Sequence, residues 1–140
     1  MMPMRVPVLV AAVLLSGSSA FAAPGGCHVS SGTYVNRNVP CPVPALTCVE
    51  SVTSADQAGQ SGTVFAIITG FNPATQIFTG TTTTTLETGA VFTSTITGTL
   101  AAGSVSTLTG GTRQYAHATG TFTTDGAGNF IGEYCLSNGD

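Results

Sequence analysis

Apolar and polar residues alternate along most of this chain in short runs that are rich in β-branched and aromatic side chains. Glycine, Asn-Pro and Asp-Gly steps separate the runs, and no helix of useful length is visible. The pattern therefore predicts strands joined by turns. We place eight of them, near residues 28–36, 46–51, 62–71, 75–86, 90–100, 103–109, 115–124 and 129–136.

Turn residues between consecutive runs predict antiparallel hairpins. Asn72-Pro73 ends one run, Gly110-Gly111-Thr112 is interpreted as a turn, and Asp125-Gly126 begins a segment that tolerates positive φ. An open sheet of this length would expose two edges and one whole face, and closure into a barrel removes both problems. We therefore predict an all-β fold with a single eight-stranded antiparallel β-barrel.

Side-chain parity predicts which residues line the barrel, because residues two apart in a strand share a face. Phe122 and Tyr134 belong to rows with small neighbours, so these rows are predicted to face inward, while Glu133 and Cys135 face outward. The candidate ligand-lining residues are Tyr34, Asn36, Phe78, Phe92, Phe122, Phe130 and Tyr134. The inward rows of the middle hairpin also contain Thr82, Thr84, Leu86, Ser94 and Ile96.

The N-terminus has a different pattern. Arg5 precedes an apolar run from Val6 to Leu15, and mostly small residues follow as far as Ala23. This is typical of a secretory signal peptide, with cleavage expected after the Ala20-Phe21-Ala22 triplet. The run is too short for a membrane span, which needs ~20 apolar residues. We therefore predict a signal peptide at 1–22, one domain at 23–140, no membrane span, and a secreted protein in the periplasm or outside the cell.

All four cysteines follow the predicted cleavage site, and an even number in an exported chain predicts two disulfides. Three pairings are open. We favour Cys41 with Cys48, which closes a proline-rich loop, and Cys27 with Cys135, which joins the two ends of the domain. Two alternatives remain, a zinc site and a lipid anchor on Cys27. The cysteine spacing and export argue against zinc, and Pro24 argues against the anchor.

Charged side chains make up only 6% of the chain. After removal of the predicted signal peptide with Arg5, two arginines and six acidic residues remain, a formal charge of −4. No basic stripe is present that would neutralise phosphates, so nucleic acid is excluded as an expected partner. A polybasic contact with a membrane surface is excluded for the same reason.

No motif predicts a catalytic residue, a metal site or a cofactor. The chain lacks a Gly-x-Ser-x-Gly elbow, a histidine cluster and a phosphate loop. His117 and Glu133 are predicted to face outward on neighbouring strands, where a solvated surface pair is favoured over an acid/base pair. Arg113 is interpreted as a surface charge rather than an anion site. Tyr34, Asn36 and Tyr134 are predicted to point inward. Their hydroxyl and amide groups could orient a bound ligand.

One segment resembles a known family. It contains Thr109-Gly110-Gly111-Thr112, Tyr115-Ala116, Ala118 and Gly120. The segment resembles the Gly-Gly-Thr-Gly-x-(Tyr/Phe)-Ala-x-Ala-x-Gly stretch of the allene oxide cyclase and dirigent-like β-barrels, including small secreted bacterial members. The chain departs from that stretch at Arg113 and His117, which replace glycines. The resemblance implies an eight-stranded antiparallel barrel. It implies no reaction, because no catalytic residue matches by motif.

Two functions follow from these expectations. We favour binding of a small apolar ligand inside the barrel, because eight strands enclose a space that side chains or one small molecule can occupy. The alternative is a non-enzymatic extracellular structural or surface-interaction module without an internal ligand. Steering of a reactive intermediate, which the dirigent-like resemblance implies, is a weaker third interpretation. The sequence leans against an enzyme and predicts no oligomeric state.

Overall fold

The protein is described by a computed structural model that covers residues 26–136, so the predicted signal peptide and its cleavage site lie outside the described residues. Eight strands follow one another along the chain: β1 (Cys27–Val39), β2 (Thr47–Ala55), β3 (Gly62–Asn72), β4 (Ile77–Leu86), β5 (Val91–Thr99), β6 (Gly103–Gly111), β7 (Thr119–Thr124) and β8 (Asn129–Cys135). Each strand pairs with the next, β8 pairs with β1, and the sheet forms a closed barrel. The predicted eight-stranded antiparallel barrel is confirmed. In the described range, no helix has the length and apolar character needed to cross a membrane.

The barrel closes where β1 and β8 run antiparallel. Cys27 lies opposite Cys135, and the register continues to Thr33 opposite Asn129. A disulfide joins Cys27 to Cys135 across a sequence separation of 108. The cross-link therefore ties together the first and last strands, which no loop connects. The second disulfide joins Cys41, in the segment between β1 and β2, to Cys48 near the start of β2, so the structure contains both favoured pairings.

The segment before β7 corrects the sequence interpretation. β6 continues to Gly111, so Gly110-Gly111 is not a turn, and the predicted strand at 115–118 is wrong. A 3-10 turn spans Arg113–Tyr115 instead. Arg113 has a φ of 54°, in the left-handed region, so a strand cannot continue through this residue. The chain bends there, and Tyr115 is buried, with only 2% of its surface exposed.

A close approach between β7 and β8 requires glycine. Gly120 has a φ of +142°, and a Cβ atom at this position would lie 2.2 Å from the carbonyl oxygen of Glu133. Any other residue would force the two strands apart. The glycine therefore allows β7, the shortest strand, to stay paired as the barrel coils.

A bulge in β3 changes which side chains face inward near its end. Ile68 lies opposite Gly80 and Gly70 lies opposite Thr79, so Thr69 is an extra residue in β3. An extra residue reverses the alternation of side chains beyond it. Phe71 consequently lines the barrel interior together with Ile68.

We predict that the β1–β8 disulfide contributes more stability than the loop disulfide. In the chain-entropy model, a loop of ~100 residues corresponds to ~4.7 kcal/mol and one of ~15 residues to ~3 kcal/mol. Replacing Cys27→Ser with Cys135→Ser should lower the free energy of unfolding by about 4 kcal/mol, measured by guanidinium denaturation. The control, Cys41→Ser with Cys48→Ser, should lower it by less than about 3 kcal/mol. Equal losses would contradict the expectation.

Candidate ligand-binding cavity

The barrel encloses a cavity of about 570 Å³. This volume lies within the ~300–1,000 Å³ that is usual for sites that bind small molecules. Inward-facing residues of all eight strands line it. Six of the seven candidate lining residues are among them: Tyr34, Asn36, Phe78, Phe92, Phe122 and Phe130. The seventh, Tyr134, faces inward but lies in the buried aromatic cluster and not on the cavity wall.

One end of the barrel is closed by the 3-10 turn. Tyr115 packs against Phe92, with ring centroids 5.3 Å apart, and against Tyr134, with ring centroids 5.6 Å apart. Gln60 Nε2 donates a hydrogen bond to the Tyr115 hydroxyl at 3.2 Å. The buried residues of this cluster are Leu86, Ala90, Phe92, Leu108, Tyr115, Ala118 and Tyr134. The cluster forms the floor of the cavity.

Arg113 fixes the turn that carries Tyr115. Its Nη1 donates a hydrogen bond to the carbonyl oxygen of Thr88 at 3.0 Å, in the loop between β4 and β5. The guanidinium therefore links two loops at the closed end. Arg113 is a surface charge, as interpreted from the sequence, but it has a structural contact that the sequence did not indicate.

The opposite end of the barrel is open, and its rim is apolar. We call this opening the mouth and define it by Leu46, Phe71 and Leu100, which line the cavity and are also exposed to solvent. Leu100 is 89% exposed at the turn between β5 and β6. Large apolar side chains are unfavourable in water unless something covers them. The mouth therefore extends the apolar surface of the cavity outward.

The lining contains hydroxyl, amide and apolar groups but no charged side chain. On β1 and β2, the Ser51 hydroxyl donates a hydrogen bond to Asn36 Oδ1. The ion pair between Arg37 and Glu50 lies on the outer face of the same two strands, where Arg37 is exposed. The cavity can thus offer hydrogen bonds without offering a counter-charge.

The other candidate polar residues do not face the cavity. His117 is exposed in the segment before β7, not on a strand, and Glu133 is exposed on β8. In residues 26–136, no group of three or more His, Cys, Asp or Glu side chains could hold a metal ion. All four cysteines are in disulfides.

Sequence reasoning missed three parts of this site. Ser30 lines the cavity and shares the inward row of Tyr34, so parity alone would have identified it. Leu100 lies in a turn rich in alanine and glycine, where an isolated leucine indicates exposure. Tyr115 had no comparable signal, because it was assigned to a strand that does not exist there.

The fold and cavity define a class: a small disulfide-bonded β-barrel with an internal cavity that has an apolar mouth. Comparisons of the chain with protein-family models, with curated proteins and with solved structures found no match. The resemblance to the allene oxide cyclase and dirigent-like barrels therefore stays a prediction that rests on the segment 109–120.

The floor of the cavity contains a phenol that resists ionisation. Burial raises the pKa of Tyr134 well above its usual value, and the neighbouring Tyr115 hydroxyl adds to the rise. The folded state therefore favours the neutral phenol. This stabilisation is fully present below pH about 10, the pKa of an unfolded tyrosine, and is lost as the pH rises above that value.

We predict that Tyr134→Phe makes the stability less dependent on alkaline pH. Between pH ~9 and ~11, the free energy of unfolding of the wild type should fall more steeply than that of the variant, because only the wild type must deprotonate Tyr134 on unfolding. Urea denaturation at several pH values measures both slopes. Phe130→Leu is the control, because it removes an aromatic ring but no ionisable group, and it should keep the wild-type slope. A Tyr134→Phe slope equal to that of the wild type would exclude Tyr134 as the titrating group.

Proposed function

We propose that this protein binds a small apolar molecule in its barrel. The observation that carries the proposal is the open cavity of about 570 Å³, which large apolar side chains line from the floor to the mouth. The two disulfides are consistent with an oxidising environment outside the cytoplasm. The motif at 109–120 adds a family expectation for the fold but no reaction.

The distribution of side-chain volume supports this proposal. An eight-stranded barrel is just wide enough for side chains to fill it or for one small ligand to occupy it. Here the large rings of Phe92, Phe122 and Tyr134 contact one another, whereas small side chains such as Ala66 and Ser106 leave space in the cavity. An apolar ligand would remove this wall from water, which is favourable by ~25 cal/mol per Å² of buried apolar surface.

Native mass spectrometry tests for a ligand that is retained after purification. We expect the protein, purified from an oxidising compartment without denaturant, to carry extra mass that is lost on denaturation. A bare native mass that stays bare after incubation with apolar compounds would contradict the proposal. The outer wall would then favour the surface-interaction module, because Val35 and Val52 form an exposed cross-strand pair there.

We predict that filling the cavity blocks binding. Ser106 lines the cavity opposite Ile96 on β5 and Phe122 on β7, so Ser106→Phe places a ring in the open space. The dissociation constant of a neutral fluorescent probe, N-phenyl-1-naphthylamine, should rise at least about tenfold, which is ~1.4 kcal/mol. Fluorescence titration measures the change.

The matched control is Thr107→Phe, which adds the same ring on the exposed outer face of the same strand. This variant should bind the probe as the wild type does. Circular dichroism and the thermal midpoint check that both variants fold. If the two variants bind the probe equally well, the binding site lies elsewhere.

A further inference from the structure

Four residues with hydroxyl groups are buried on the cavity wall. Ser30, Thr82, Thr84 and Ser94 are 2%, 4%, 7% and 3% exposed, and all four line the cavity. In residues 26–136, none of the four hydroxyls forms a hydrogen bond with another residue. Ser104 differs, because its buried hydroxyl lies 2.9 Å from the Thr124 hydroxyl. We call the first four residues the hydroxyl belt.

The strand register places the hydroxyl belt in the deep half of the cavity. Thr82 lies directly opposite Ser94 in the β4–β5 pair, and Thr84 lies one inward position closer to the floor. Ser30 is near the start of β1, which begins at the closed end. Since β1 and β5 are four strands apart in a closed barrel of eight, Ser30 and Ser94 extend from opposite walls.

Buried hydroxyls without partners are unfavourable, and most buried polar groups in proteins form hydrogen bonds. Valine has nearly the same shape as threonine, and alanine is close to serine, so either change would keep the packing at these positions without the unpaired hydroxyl. Four such groups in the deep half of the cavity therefore indicate a bound group that completes their hydrogen bonds. A hydroxyl both donates and accepts, so the hydroxyl belt suits either an alcohol or a carbonyl.

The charge of the lining restricts that group further. No charged side chain lines the cavity. A carboxylate or an ammonium at the hydroxyl belt would be buried without a counter-charge, which is strongly unfavourable. Above the hydroxyl belt, Ile96, Phe78 and Phe71 supply apolar surface towards the mouth, next to uncharged polar side chains such as Thr99 and Asn38.

We propose that the hydroxyl belt binds the uncharged polar head of the ligand, a hydroxyl or carbonyl group, while the apolar body of the ligand extends to the mouth. This inference rests on the proposed function, because it specifies which small apolar molecules the cavity accepts. It predicts selection by the head group among compounds with the same hydrocarbon chain.

Displacement of N-phenyl-1-naphthylamine at pH about 8 compares four compounds of equal chain length: 1-decanol, 1-chlorodecane, decanoate and decylammonium. We expect 1-decanol to bind at least about tenfold more tightly than either ion, because the ions lack a counter-charge. It should also bind more tightly than 1-chlorodecane by roughly two- to tenfold, the usual effect of a hydrogen bond.

Thr82→Val tests the hydroxyl belt itself. This variant keeps the branched shape and removes one hydroxyl, so the preference for 1-decanol over 1-chlorodecane should fall by roughly two- to tenfold. The matched control is Thr83→Val, on the exposed face of the same strand, which should leave the preference unchanged. Ser94→Ala, on the opposing strand, should repeat the effect of Thr82→Val.

The outcomes separate this inference from the proposed function. If the ions bind as tightly as 1-decanol, or if Thr82→Val and Ser94→Ala keep the wild-type preference, the inference is overturned while cavity binding stands. Equal binding of 1-decanol and 1-chlorodecane by the wild type would show that the hydroxyl belt holds only water. This outcome would also overturn the inference. If neither the probe nor any of the four compounds binds, the proposed function fails as well.

Discussion

The pairing of β1 with β8 closes the sheet, and every inward-facing row of side chains depends on that closure. Cys27 lies opposite Cys135 at one end of this pair, and the register that follows places Tyr34 on the interior wall. A shift of one residue would move the inward side chains of β1 to the outer face. The disulfide between Cys27 and Cys135 opposes such a shift, because it fixes two residues that are directly opposite.

The interior is divided along the barrel axis because its large and small side chains are not evenly distributed. Aromatic rings concentrate near the closed end, where Phe122 stacks with Phe92 and with Tyr134 at centroid distances of 5.8 and 6.2 Å. Tyr115 enters from the 3-10 turn and completes this packing. The cavity begins above this cluster and extends to the mouth, so the barrel is packed at one end and hollow at the other. The aromatic cluster that stabilises the barrel and the open part of the candidate binding site thus lie towards opposite ends of the barrel.

The sequence predicted the strands and their faces well because both depend on local alternation, which the residue pattern carries directly. Three features failed to appear in that pattern for physical reasons. The bulge at Thr69 reverses the alternation and brings Phe71 inward, and the positive φ of Arg113 ends a predicted strand. Parity also gives the face of a residue but not its depth along the barrel axis. Tyr134 therefore faces inward as predicted, yet lies in the floor.

The Tyr115 floor has a kinetic consequence. In the described part of the chain, the cavity opens towards Leu100 and is closed at the end where Tyr115 is buried. A second molecule cannot enter from behind and push out the first. Exchange of a bound ligand would therefore begin with its departure, and the exchange rate would not depend on the concentration of the molecule that replaces it. If the cavity binds a ligand, the mouth and the ligand itself would set the release rate, and competing molecules would not change it.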